Sequence, residues 1–344
     1  MTVKTAIRLL VRSVALGVSL CAVAASHGNA QTRSPTVDWA KVTAEAAKEG
    51  EVVVYGVLIP ATIQLTIDAF KKAHPNIRLQ IVRDIDSAIA LRVRQEQSVN
   101  AKGADIIVQS SYDPIDAQIG LGMLVPPTGP NAAAFGKALY RDVAPILSSM
   151  PVGIAYNTEL AKTPVDSYQD LLRPEFKGAI SIMSIDAGAA PISWYDYIRN
   201  RYPDFWTRLA AQNPKFYASS VPLVQGVASG EAALGGWGLP AIASPLIQKG
   251  APLKVAIDKT ESFGIEFVGG ILKNAHDPNA AQVFMNFMMS LEGQEALNGG
   301  SRGISALPGV PGALPPTRMV SVDPKIYTPE KLKQIAEEWK AVFK

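Results

Sequence analysis

The sequence predicts an α/β protein in two lobes. Short strands of continuous apolar residues alternate with helix-patterned segments. A Pro/Gly-rich connection interrupts the alternation, which then resumes. About 314 residues remain once an export leader is set aside, and that length suits two domains. Strands without in/out alternation are buried on both faces, as parallel pairing beneath helices requires.

The leader comes first. Lys4, Arg8 and Arg12 open the chain without an acidic residue, an apolar run extends from Val14 to about Ala25, and Gly28-Asn29-Ala30 follows. This order predicts a cleavable signal peptide over 1–30, cut before Gln31, and hence a periplasmic product. The apolar run is too short to serve comfortably as a membrane anchor. Leu20 stands before Cys21, where a lipid-attachment signal needs a small residue, so the expected product carries no lipid. The cut removes the single cysteine, and with it disulfides, thiolate metal sites and cysteine nucleophiles. It also removes three of the 33 basic residues and none of the 30 acidic ones, taking the net charge from +3 to zero. No charge excess is left to attract nucleic acid or an anionic membrane.

In the remaining chain, Trp39, Val42 and Ala46 share one face of a helix over 36–50 that Gly50 stops. Residues 51–55 read as a strand, and Thr62 as the cap of a helix ending at His74-Pro75. A strand over 77–82, a helix over 87–100 and a strand over 105–108 follow. The connection 126–130 precedes an extended segment, 151–157. Ser167 and Asp170 open a helix as a capping box. A strand over 178–183 leads to a long helix from Pro191. A short helix over 221–229 and a glycine-rich strand over 232–237 come next, then strands over 253–257 and 265–272. Helices over 277–290 and 291–298 follow, and Thr328-Pro329-Glu330 caps the last helix. The expected lobes are 36–142 plus 253–310 and 143–252 plus 311–344. A ligand would sit at strand ends or between the lobes, where helix starts offer backbone N–H groups.

No catalytic constellation emerges. His74 and His276 stand at helix termini, H-E-x-x-H and G-x-S-x-G are absent, and Gly129 to Lys137 has the wrong spacing for a phosphate loop. Asp84 and Asp86 read as solvated loop residues. The expectation is a protein that is not an enzyme, with no cofactor and no resident metal.

Six stretches, in order over nearly the whole mature chain, carry a family likeness. They are Val52 to Gly56, Ala104 to Ile107, Val152 to Thr158, Tyr168 to Gly178, Val224 to Glu231, and Ala280 to Phe284 with Ser290 to Gln294. Together they resemble family 1 extracellular solute-binding proteins of ABC importers, in the ferric-iron branch. The resemblance implies a bilobal periplasmic-binding-protein fold, of Venus-flytrap type, with crossover hinge strands and a ligand cleft. Val152 to Thr158 is similar to the crossover into the second lobe. The implied partners are a small-molecule ligand and an ABC permease in the inner membrane, with the binding protein itself a monomer. Iron-binding relatives use a histidine, a glutamate and a tyrosine pair. The matching positions here hold Ile59, Ser110 and Pro240-Ala241, which cannot supply the anionic oxygens that a hard trivalent ion demands.

Carried over position by position, the likeness implies a ligand cleft containing Ile59 and Thr62, Ser110, Ser111 and Tyr112, Asp186, Gly188 and Ala189, Trp237 and Phe263. Relatives hold an anion at the helix start matching Asp186 to Ala189, and Trp237 is a possible stacking platform. Such a pocket suits a small organic anion of carboxylate, phosphonate or phosphate type. The alternatives are a ferric ion or ferric complex, a polyamine facing Asp186, Glu231 or Glu261, or a ligand-sensing role for a signalling receptor.

Overall fold

The structure, a computed structural model, describes residues 37–258, 261–323 and 325–343. The predicted leader and Cys21 lie outside them. Helix α1 (Trp39–Glu49) starts where Asp38 accepts the Lys41 N–H and ends at Gly50 with φ 72°. A βαβ succession follows: β1 (Glu51–Gly56), α2 (Pro60–Ala73), β2 (Arg78–Arg83), α3 (Asp86–Ser98), β3 (Ile106–Gln109) and α4 (Tyr112–Gly120). Short elements β4 (Leu124–Val125), α5 (Ala132–Phe135) and β5 (Leu139–Tyr140) then lead to β6 (Ala144–Pro151).

One residue, Val152, separates β6 from β7 (Gly153–Asn157). The chain continues through β8 (Ile180–Met183), α6 (Ala189–Arg201), α7 (Phe205–Ala211), β9 (Lys215–Tyr217), α8 (Ser220–Ala228), β10 (Leu234–Gly238), α9 (Pro240–Gln248) and β11 (Leu253–Ala256). It ends with β12 (Ser262–Leu272), α10 (Pro278–Met288), α11 (Leu291–Asn298), β13 (Met319–Val320) and α12 (Pro329–Val342). The capping box at Ser167 and Asp170 is present, although it opens a short 3-10 turn and not an α-helix. Thr328 caps α12 as its sequence predicts.

The strands form two mixed sheets. The first has the order β2-β1-β3-β12-β6-β5, with β4 and β13 also paired to β12; the second runs β11-β7-β10-β8-β9. In the first sheet β1 is parallel to β2 and β3, whereas β12 is antiparallel to β3 and β6. Asp105, fully buried, ties this sheet to a helix. Its carboxylate accepts the Val53 N–H at 2.8 Å and the Asp277 N–H at 2.9 Å.

The chain passes from the first sheet to the second at Val152 and returns between Ala256 and Ser262. Two expected boundaries therefore move. Leu253–Ala256 pairs with β7 in the second sheet, although the sequence groups it with the first. Ala144–Pro151 belongs to the first sheet, although the sequence groups it with the second. Strand partners decide sheet membership, and partners distant in sequence leave no local pattern.

Candidate functional site

A cavity of about 350 Å³ opens beyond the carboxyl ends of β1, β2 and β3 in the first sheet and of β8, β9 and β10 in the second. Ligands of α/β proteins gather at such strand ends because the following helices begin there.

Six helices begin at this cavity. Their N-cap residues, Ile59, Ile85, Ser111, Gly188, Ser219 and Leu239, all line it, and none of the six makes a side-chain cap hydrogen bond. The other helices of eight or more residues among those described are served differently. Side chains of Asp38, Ser290 and Thr328 cap α1, α11 and α12. Glu49 accepts the first-turn N–H groups of Asn279 and Ala280 in α10. Helices α4, α6 and α8 share a further pattern: the third helical residue is proline, namely Pro114, Pro191 and Pro222. Proline is tolerated there because the missing N–H would have been an orphan anyway. The two preceding N–H groups of each helix, Tyr112 and Asp113, Ala189 and Ala190, Ser220 and Val221, have no acceptor among the described residues. Unserved N–H groups and the aligned peptide dipoles both favour negative charge at these points.

The charged side chains are mixed in sign. Arg83 is the one cation lining the cavity among the described residues; its Nε donates to the Leu58 carbonyl at 3.0 Å. Asp86 accepts the Ser110 N–H at 2.8 Å and the Ser110 hydroxyl at 2.6 Å. Burial raises the Asp86 carboxyl above its ordinary range, and the Ser110 bonds oppose that rise. Burial also raises Asp113, with the Asp116 charge adding to it. Asp84 accepts the Ile85 N–H at 2.8 Å. Among the described residues no group of three or more His, Cys, Asp or Glu is placed to hold a metal ion.

Of the residues expected here, Ile59, Ser110, Ser111, Gly188, Ala189 and Trp237 meet at the cavity. Four do not. Thr62 is buried in the first turn of α2, because Pro60 takes the first helical position and the cap falls at Ile59, ahead of the one expected at Thr62. Tyr112 turns into a smaller core, its ring 4.4 Å from that of Tyr140 and its hydroxyl bonded to Glu266. Asp186 lies in a 3-10 turn before Gly188 and points outward to Lys340 Nζ at 2.8 Å. Phe263 is fully buried beneath Trp237, with ring centroids 6.1 Å apart. Glu231 pairs with Lys215, and Glu261 with Arg201 and Arg318, so neither lines the cavity.

The sequence reading missed Arg83, Asp113, Ser219, Leu239, Ile265 and Phe267, all of which line the cavity. Asp86, which the sequence predicts to be a solvated loop residue, is a brace for Ser110. A signal existed for some of these. Ser219 and Asp86 stand where a strand hands over to a helix. For Ile265 and Phe267 there was none, since a buried strand reads alike on both faces.

Residues 51–299 match the family model described as bacterial extracellular solute-binding protein, and the chain belongs to that family. Its members bind solutes and are not enzymes. An uncharacterized protein of Haemophilus influenzae is 26% identical over 272 residues, covering 74% of this chain and 77% of the relative. The substrate-binding protein of an ABC transporter from Agrobacterium tumefaciens superposes with a TM-score of 0.74 at 20% identity, covering 87% of this chain and 96% of the other. AfuA from Actinobacillus pleuropneumoniae, a periplasmic binding protein with fructose-6-phosphate bound, gives 0.67 at 19% identity, covering 86% and 98%. The two mixed sheets are thus those of the periplasmic-binding-protein fold.

Proposed function

We propose that this chain is the periplasmic capture subunit of an ABC importer, and that it takes a small organic anion of carboxylate, phosphonate or phosphate type. The observation that carries the anion is the set of six uncapped helix starts around one cavity, joined there by Arg83. Elsewhere in the described chain, helix starts of comparable length receive side-chain acceptors. Leaving N–H groups unserved costs stability, and a bound anion supplies the missing acceptors. The ABC assignment is supported by the family and by the fold likeness to the Agrobacterium protein. Export to the periplasm is supported by the family and by the signal-peptide pattern of residues 1–30. The chain crosses between its sheets at Val152 and again between Ala256 and Ser262, and these crossings are the hinge about which the two lobes close on the anion.

Free ferric ion suits the cavity poorly, because Ile59, Ser110 and Pro240-Ala241 replace the iron ligands of similar proteins and, among the described residues, no metal-holding cluster stands in their place. The test is a thermal-shift screen of residues 31–344 against carboxylates, phosphonates, polyamines and ferric salts. A ligand of the folded state raises stability by about 2.7 kcal/mol at a hundred times its Kd. Stabilisation by anions is the expected result. Stabilisation by polyamines or ferric salts with no response to any anion would refute the assignment.

A further inference from the structure

The cavity floor narrows the solute further. Ile59 and Leu239 at two of the helix starts, and Trp237, Ile265 and Phe267 between those starts, have exposures of 8, 3, 3, 6 and 4%. No amide, phenol or imidazole side chain lines the cavity among the described residues. Its neutral polar side chains are serines at the starts of α3, α4 and α8. Apart from Arg83 at the end of β2 and the indole N–H of Trp237, the polar side chains stand at the helix starts, while the rest of the wall from β10, β12 and the loop after β1 is apolar.

We infer that the solute is a monoanion with an apolar, ring-sized body, an aromatic or alicyclic carboxylate. It rests on the anion reading above and deepens it. The carboxylate sits at the starts of α4, α6 and α8, and the ring lies on Trp237, Ile265 and Phe267. A polyhydroxylated body would press its hydroxyl groups against side chains that cannot replace their lost water. A ring gains from the same contact. The single negative charge follows from Asp84, Asp86 and Asp113, which line the cavity beside Arg83. A second charge on the ligand would meet these carboxylates.

Calorimetric titration of residues 31–344 with 3-phenylpropionate, fructose 6-phosphate, inorganic phosphate and spermidine tests the inference. The expected result is that 3-phenylpropionate binds roughly tenfold or more tightly than either phosphate. Failure of 3-phenylpropionate to bind overturns the inference whatever else binds. If either phosphate binds more tightly, the inference falls and the anion reading stands. If spermidine alone binds, both fall. Ile265→Ser is expected to weaken 3-phenylpropionate by about tenfold. The milder Ile265→Thr serves if that variant does not fold, and an unchanged affinity in the folded variant also overturns the inference.

Discussion

Gly188 adopts φ 130° and ψ −173° directly before α6, a backbone that L-residues rarely take. A Cβ there would meet nothing within 4 Å, so the constraint is the backbone and not space. Gly188→Ala is expected to lose about 1–3 kcal/mol of stability, measured by urea denaturation, and to weaken anion binding by shifting the α6 start. Arg83 is the other residue that can be isolated. Arg83→Gln removes the one cation lining the cavity among the described residues without breaking an ion pair. Anion affinity is expected to fall by about tenfold to a hundredfold, the range for a charge-assisted hydrogen bond. Loss of its bond to the Leu58 carbonyl should cost about 0.5–1.5 kcal/mol of stability. Calorimetry and thermal melts separate the two effects. Arg302, by contrast, is held by backbone carbonyls. Its guanidinium donates to the carbonyls of Glu295, Ala296 and Leu297 at the end of α11.

At the scale of elements, Asp105 links β1, the start of β3 and the start of α10 through two backbone N–H groups. Asp105→Asn keeps the shape but puts an amide nitrogen where one acceptor stood. A loss of about 1–3 kcal/mol is expected in equilibrium unfolding, and an unchanged midpoint would show that the link carries no stability. Some elements were plain in the sequence. Val52 to Tyr55 and Ile106 to Val108 are buried strands and read as such. Others were hidden by local breakers. Helix α4 carries Pro114, and α9 carries Pro240 at its start and Pro245 inside it. Strand β6 contains Pro145, Ser148 and Ser149. There the tertiary partners outweigh propensity: Ser148, for example, is buried and bonded to Asn298 of α11.

For the whole molecule, the mixed charge of the cavity implies a pH dependence. Burial raises both Asp86 and Asp113, which line the cavity with Asp84 and Arg83. The folded state therefore binds these protons more readily than the unfolded chain. The cost of the two charges to folding is present above their raised values and vanishes below the unfolded carboxylate range. An incoming anion faces the same carboxylates, so its binding is linked to proton uptake in the same direction. Anion affinity is expected to rise as pH falls toward that range, until the ligand's own carboxylate is protonated. Titrations over a pH series, in buffers of different ionisation enthalpy, measure both the affinity and the proton uptake. An affinity that declines toward acid while the ligand remains ionised contradicts this linkage.

The sequence by itself determined the α/β class, the order of most strands and helices, and several points that line the cavity, among them Ser110, Gly188 and Trp237. These are local facts: apolar runs, caps, glycine before a helix, and motifs in register. Only the tertiary structure decided which sheet Leu253–Ala256 joins, that Asp186 turns away to Lys340, and that Ile265 and Phe267 floor the cavity. It also decided that six helix starts lacking caps converge on one space. A missing cap can be read from a few neighbouring residues, but where that helix start points depends on strand pairing between segments as far apart as Ile106 and Ile271. Side-chain direction and sheet order arise from those long-range contacts, and they turn scattered backbone donors into a site.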